Sequence, residues 1–548
     1  MKRKSIYILS VLILCLGFGI SAKLVNNDKY FEIIKNIEIY SNVYKELNKN
    51  YVEDIDPSVL MRTGIDAMVG SLDPFTNYIS ETQVVRYQLN TQGRYEGIGI
   101  LVGNINGEVT ITEVTEGGPA QIAGIKAADK ILAINGSSVI GKSDDEVNQI
   151  MRGAPGTDIQ IRVERPGEDK PLDMNVSRDQ VNIPNVPVAE LLDGDIAYVS
   201  LTTFTQQAAA NIEKALRKLQ KELGSDLQGV VLDLRNNGGG LLREAIAVSN
   251  LFVDKGNLIV TTKGKVRERD KSYSTMKNGY NIEVPVTVLI NKSSASASEI
   301  VSGVIQDYDR GVLIGQRSYG KGLVQNTQEV GYNSRVKLTT SKYYIPSGRC
   351  IQSVEYEFGE PVDIEEAKRS KFKTINGRTV LDGGGVKPDV VMKKPAKSEF
   401  VQALMKDHMI FKYVTNYVLE HTSIDSAATY RFADYDKFVA FCKSKNYSFI
   451  SKSEKAVEKL QKELNGISLE EKSSTAIESV KNLIAEDKAD DYAEHKDVLI
   501  DLIEEEIISR YYYQRGKILN NLNSDPEVQE AISILRDTDR YYAILNPA

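Results

Sequence analysis

The sequence predicts a multidomain α+β protein with an N-terminal helical segment, a small β-rich module, a layered α/β core and an all-helical C-terminal appendage. Three observations carry that reading. The chain has 548 residues, more than a single core organises at roughly 100 to 200 residues per domain. Its apolar period changes along the chain, from helical spacing to strand alternation, then to short apolar runs interleaved with helical ones, and finally back to helical spacing. The 68 basic and 75 acidic residues, net charge −7, are interspersed without basic blocks, which argues against nucleic acid as a partner.

The first element, residues 1–22, opens on Met1-Lys2-Arg3-Lys4, continues through an apolar run from Ile6 to Ile20 and ends in Ser21-Ala22-Lys23. A charged start, a short apolar centre and a small residue at a cuttable position are the layout of a secretory signal or, if uncut, a membrane anchor. The chain is therefore expected to be exported and periplasmic, soluble or anchored to the inner membrane. The bulky Leu14 before Cys15 speaks against lipidation. Cys350 and Cys442 would remain after cleavage, too few for a disulfide framework, and read as buried thiols.

Residues 28–92 form the helical segment, with Ile33, Ile34, Ile37, Val43 and Leu47 at helical spacing and a second helix around Leu60 to Leu72. Residues 93–180 switch to short strands, Ile98-Ile100-Val102 and Val109-Ile111, then a helix containing Val147, Ile150 and Met151 and a strand through Ile159 and Val163. Arg152, near the end of that helix, is a candidate for coupling this module to the next domain, although a solvated surface arginine is the simpler reading. Residues 181–397 alternate strands and helices, for example Val230 to Asp233, Leu241 to Leu251 and Val286 to Asn291, which argues for helices layered on a largely parallel sheet. Residues 398–548 are rich in Lys, Glu, Leu, Ile and Tyr at helical spacing, interrupted by turn formers.

All three histidines, His408, His421 and His495, fall in the appendage. The α/β region therefore has no imidazole for a Ser-His-Asp site or a histidine-rich metal site, and a nucleophile there needs another base. A candidate nucleophile lies in Ser294-Ala295-Ser296-Ala297-Ser298-Glu299, where a strand meets a helix start through small residues. Small side chains admit a substrate backbone, and a helix N-terminus offers N–H groups to a developing oxyanion. In isolation the string is better explained as an ordinary serine-rich cap, with Glu299 favouring the helix dipole.

Twenty-five residues after Ser296 stands Gly320-Lys321-Gly322. A lysine serves as general base once desolvation brings its pKa toward neutrality, which a tight apolar site can do. Gln325, farther along the same expected strand, faces Lys321's side and can orient the amine. Gly315 to Lys321 also fits a phosphate-binding loop, but Gly322 stands where Ser or Thr would hold the metal and a strand pattern follows in place of a helix. A third string, Asp233-Leu234-Arg235-Asn236-Asn237-Gly238-Gly239-Gly240, ends a strand in a glycine turn suited to aiming an N–H at an anionic oxygen.

Together and in this order the three strings resemble the carboxyl-terminal processing (tail-specific) serine protease family. The resemblance covers about residues 30 to 392, with Gly238 standing where relatives often carry proline. It implies a crotonase-like layered protease core, Ser296 as nucleophile, Lys321 as base and Gln325 as its orienter, with Gly239 and the Ala297 amide forming the oxyanion hole. It implies no metal or other cofactor. Residues 93–180 are similar to a PDZ domain, a β-sandwich or barrel in which Gly97, Ile98, Gly99 and Ile100 would form the loop that grips a peptide's terminal carboxylate. The implied partners are protein or peptide substrates with free C-termini. Membrane association through the N-terminal segment and oligomerisation stay open. The expected activity is serine endopeptidase cleavage of envelope proteins selected by their C-termini. The alternatives are a non-catalytic PDZ scaffold or chaperone, and a Ser-Lys hydrolase of cell-wall amides. The charged stretch from Glu355 to Lys373, expected as an insertion, and the appendage lie outside the shared pattern.

Overall fold

The computed structural model describes residues 29–84, 93–280, 283–352, 354–357, 360–363, 365–393, 397–464, 470–522 and 524–546. The signal or anchor expected over 1–22 lies outside the described residues. No helix among the described residues is long and apolar enough to cross a membrane. The chain divides into two compact units, one holding the residues up to Tyr78 and the other nearly everything that follows.

The first unit contains two helices, α1 (29–50) and α2 (Pro57–Gly70). Asp56 starts α2 by accepting from the amides of Ser58 and Val59 at 2.7 and 3.3 Å, with Pro57 pre-set for the first turn. The Tyr44 hydroxyl donates to the Pro57 carbonyl at 2.8 Å, tying α1 to the start of α2.

The second unit begins with the β-rich module. Its strands are β1 (Arg94–Gly97), β2 (Ile100–Ile105), β3 (Glu108–Val114), β4 (Lys130–Ile134), β5 (Asp158–Glu164), β6 (Leu172–Ser177) and β7 (Asp179–Asn182), with helix α3 (Asp144–Met151) between β4 and β5. The main sheet runs β2-β3-β4-β5-β6, so β2 is an edge strand, while β1 pairs with β7. In β5 every second residue, Ile159, Ile161 and Val163, is buried, the period expected of a sheet with one apolar face. Ser143 and Glu146 form a reciprocal cap at the start of α3.

The α/β core is a six-stranded sheet in the order β8 (Val188–Leu192), β9 (Ile196–Ser200), β10 (Gly229–Asp233), β13 (Val286–Ile290), β14 (Val312–Gly315) and β17 (Val390–Val391). Only the β8–β9 pair is antiparallel. A second, antiparallel sheet carries β11 (Leu258–Gly264), β12 (Lys271–Ser274), β15 (Leu323–Gly331) and β16 (Ser334–Tyr344). On one face of the main sheet Val230, Leu232, Val286, Val288 and Ile290 pack against α4 (Ala208–Leu223), α5 (Leu242–Phe252) and α6 (Ala297–Asp307). These strands are buried on both faces and so read as nearly unbroken apolar runs.

The C-terminal region is helical as expected. Its helices α7 (Met409–Glu420) and α8 (Lys496–Asn521) share a core of their own with Tyr413, Phe438, Ile503 and Ile507. Helices α9 (Pro526–Arg536) and α10 (Thr538–Leu545) belong elsewhere: Val528, Ala531, Ile534 and Tyr541 cover the second face of the main sheet against Tyr198, Val231, Leu289 and Ile314. The end of the appendage is thus a layer of the α/β core. The sequence hides this, because an amphipathic helix carries no mark of which sheet it will cover.

The segment just after the charged stretch is anchored too. Arg378 bridges Asp309 at 2.5 Å and Asp389 at 2.6 Å, and the Asn376 amide donates to Asp309 at 2.6 Å. Cys442 is buried as expected and burial pushes its thiol up to about 11, whereas Cys350 is only partly buried.

Candidate active site

Two turns leave the C-terminal ends of the adjacent parallel strands β10 and β13 and are bonded to each other residue by residue. Asn291 accepts from the Asn236 amide at 3.0 Å and donates to the Asn236 side chain at 2.9 Å. The Ser294 hydroxyl donates to the Leu234 carbonyl at 2.8 Å, while the Ala295 amide and the Ser298 hydroxyl both donate to the Asn237 carbonyl, at 3.0 and 2.8 Å. The small polar residues of both motifs are therefore spent on joining the two turns.

Ser296 emerges from this joint as the N-cap of α6 with φ 56° and ψ −110°, a backbone region that costs on the order of 1–3 kcal/mol for a residue with a side chain. Gly239 lies directly against it. A Cβ built on Gly239 would fall 2.8 Å from the Ser296 Cβ and 2.9 Å from the Ala297 nitrogen, and its φ is +100°, so only glycine brings the backbone this close. The structure thus gathers Ser296, Ala297 and Gly239 at one point. The Gly239 amide donates to the Asn237 side chain at 2.9 Å, and Asn237 in turn donates to the Leu201 carbonyl at 2.7 Å.

The helix start continues into Glu299, which is fully buried. One of its carboxylate oxygens accepts from the Ser296 amide at 2.7 Å and the Lys321 amide at 2.9 Å. The other accepts from the Ser318 hydroxyl and the Gly320 amide, both at 2.6 Å. Burial pushes the carboxyl above its ordinary range, and these four donors pull it back. Lys321 is half-buried between Gly320, whose φ is +90°, and Gly322, where a Cβ would meet the Gln352 backbone nitrogen at 2.6 Å. From the far side the buried Tyr343 of β16 donates its hydroxyl to the Ser296 carbonyl at 3.3 Å.

Gln325 sits on β15 opposite Thr339 and donates to that hydroxyl at 3.2 Å. Lys321 lies two residues before β15 begins, so strand alternation does not govern the direction of its side chain. Gly97, Ile98, Gly99 and Ile100 join β1 to β2 in the other domain, and neither Ser296 nor Lys321 lines the cavity in which Ile98 and Ile100 take part. Among the described residues no group of three His, Cys, Asp or Glu side chains could hold a metal ion.

Sequence reasoning missed two contributors. Glu299 was legible only as a favourable charge at a helix start, although its place three residues after Ser296 is the capping-box position. Arg235, beside the glycine turn, is held by Asp233 at 2.6 Å and by Asp525 and Glu527 at the start of α9, at 2.6 and 2.7 Å. No local signal in the sequence pairs residue 235 with residues this remote.

Comparison with known proteins agrees with this architecture. The profile of peptidase family S41 matches residues 195–359, that of the PDZ domain residues 97–176, and that described as "Probable PDZ-protease, C-terminal helical domain" residues 400–535. The chain is 34% identical over 355 residues to a carboxy-terminal-processing protease of Bartonella bacilliformis, spanning 65% of this chain and 81% of that one. It is 34% identical over 319 residues to a "Probable CtpA-like serine protease" of Staphylococcus aureus, spanning 58% of this chain and 62% of that one, less than two thirds of its length. Among solved structures, the photosystem II D1 C-terminal processing protease matches at 24% identity and a TM-score of 0.36, covering 65% of this chain and 92% of that one. The chain belongs to the carboxy-terminal-processing protease family of S41 peptidases. It is a serine-type peptidase with a PDZ domain.

Proposed function

We propose that the protein is an endopeptidase working through a Ser296–Lys321 dyad, which takes exported envelope proteins by their free C-termini through the PDZ loop Gly97-Ile98-Gly99-Ile100. The Ser296 hydroxyl passes its proton to neutral Lys321 as Oγ attacks a peptide carbonyl. The Ala297 amide receives the oxyanion, joined by the Gly239 amide once that amide turns from the Asn237 side chain it bonds in this structure; the lysine returns the proton to the leaving amine, and water resolves the ester. Gln325 orients the lysine.

The observation that carries this reading is the Glu299 carboxylate, which bonds the backbones of Ser296 and Lys321 through one oxygen and so joins the two segments as one rigid piece. A scaffold that only binds peptides gains nothing from such a joint. The test is turnover of a fluorogenic peptide by Ser296→Ala, Lys321→Ala and the double variant. Each single change is expected to lower kcat at least roughly 1,000-fold, and the double little further, because members of one catalytic unit are not additive. Near-normal cleavage by Lys321→Ala rules out the dyad.

A further inference from the structure

Helix α8 belongs to two cores. As far as Ile508 its buried residues, Leu499, Ile503, Ile507 and Ile508, pack in the helical domain with Tyr413 and Phe438. From Ile518 onward it packs against the α/β core, with Leu522 buried in one cluster with Val231 and Leu289. Between the two stretches Tyr513 leaves the helical course at φ 55° and ψ −159°, close to a region that glycine alone occupies freely, at a cost on the order of 1–3 kcal/mol. A tyrosine stays there only if something holds it.

The hold comes from the PDZ domain. The Tyr513 hydroxyl accepts from the Gln121 side-chain amide, and the Gln121 side-chain carbonyl accepts from the Gly117 backbone amide at 2.5 Å. Gln121 lies on the one-turn helix Pro119–Ile122, which backs the loop Gly97-Ile98-Gly99-Ile100. The Ala120 amide donates to the Ile98 carbonyl at 2.8 Å and the Thr115 amide to the Gly99 carbonyl at 2.9 Å. A second tie runs from Lys412 of α7 to the Asn106 side chain at 3.1 Å. Arg152 is half-buried, its guanidinium carbon 5.9 Å from the centre of the Tyr95 ring in its own domain. Tyr513 and Gly117 also line a cavity of about 1160 Å³, walled by Ile98, Ile100 and Met151 of the PDZ domain and, opposite, by Leu419 of α7 and Tyr511 of α8. It has room for several residues of an extended chain and none for a folded domain.

We propose that α7 and the first part of α8 form a clamp over the PDZ groove, hinged and latched at Tyr513, that opens to admit a substrate's tail and closes again on it. This rests on the PDZ reading given above and names the residues that govern entry to that site. Two opposed terms set the hinge. The kink at Tyr513 is strained, which favours a straightened α8, whereas the bond to Gln121 belongs to the kinked form and holds it. The two terms are of similar size, so the straightened state stays within reach and an entering tail can use it. Because the bond forms again around a seated tail, it delays entry and exit alike. The latch therefore acts on rates and leaves affinity nearly unchanged.

The experiment follows, by stopped-flow anisotropy, the association and dissociation of a fluorescein-labelled peptide with an apolar C-terminal residue and a free carboxylate. It uses the full chain carrying Ser296→Ala so that the probe stays intact. Tyr513→Phe keeps the ring and removes the latch oxygen, and both rate constants are expected to rise roughly fivefold, the effect of one net hydrogen bond, with Kd within about twofold. Gln121→Ala should do the same from the other side, and the two together no more than either alone, because they remove one bond. At the hinge itself Tyr513→Gly suits the kink and Tyr513→Ala suits a straight helix, so both rate constants are expected to be at least about fivefold lower in the glycine form. Unchanged rates in Tyr513→Phe and Gln121→Ala overturn the latch, and equal rates for the glycine and alanine forms overturn the hinge. A probe that binds none of these chains removes the PDZ reading and the clamp with it, a result distinct from binding at unchanged rates.

Discussion

Ser296 holds its unusual φ and ψ because its neighbours leave it no alternative: its amide is taken by Glu299, its carbonyl by Tyr343, and Gly239 presses on its Cβ side. Glu299 is the most exacting of these residues, since all four of its partners donate. Glu299→Gln replaces an acceptor oxygen with an amide nitrogen that faces two donors. Leaving those donors unsatisfied costs about 1–3 kcal/mol for each buried group. The expected outcome is a lower denaturant midpoint and a kcat reduced at least about 100-fold at unchanged KM, with Glu299→Asp intermediate, because the substrate-binding surface is untouched while Ser296 and Lys321 lose their common anchor. A kcat within threefold of wild type would show that the joint does not matter to the chemistry.

Helix α9 holds the glycine turn through the Arg235 pairs to Asp525 and Glu527. Removing both carboxylates as Asp525→Ala/Glu527→Ala leaves a mostly buried guanidinium with Asp233 alone, a change worth about 3–5 kcal/mol. The core's unfolding midpoint in denaturant should fall accordingly, and kcat with it, while the C-terminal helical core of α7 and α8 unfolds as before. An unshifted midpoint would make α9 a passive cover. The elements themselves were largely legible: the helix over Ala208–Leu223 and the strand starting at Val286 announce their period plainly. The three motifs were legible because each combines a strand end with residues that suit only a close backbone approach. What could not be read was long-range partnership. Arg235 with Glu527, or α9 with the face formed by Val231 and Leu289, depends on which surfaces the whole chain brings together, and no local period encodes that.

On the scale of the whole second unit, the PDZ groove and the helical domain share a cavity. Gln121 donates to the Tyr513 hydroxyl across it, where α8 breaks its helical course at φ 55° and ψ −159°, and Lys517 reaches Glu113 at 3.9 Å. A substrate tail seated on β2 as an added strand should then touch both walls. Hydrogen exchange of the Ser296→Ala chain with a free-acid peptide is expected to show protection at residues 97–101 and at 509–517 together. Protection confined to the loop would mean that α8 does not meet the tail. The wide sequence separation of the Arg235 anchor also bears on synthesis. Glu527 follows Arg235 by 292 residues, which a ribosome adding about 5–20 residues per second needs roughly 15 to 60 s to supply. Throughout that interval the nascent core lacks the layer that closes its sheet and the carboxylates that hold its glycine turn. The site proposed at Ser296 therefore lacks its full support until the last helices of the chain have been made.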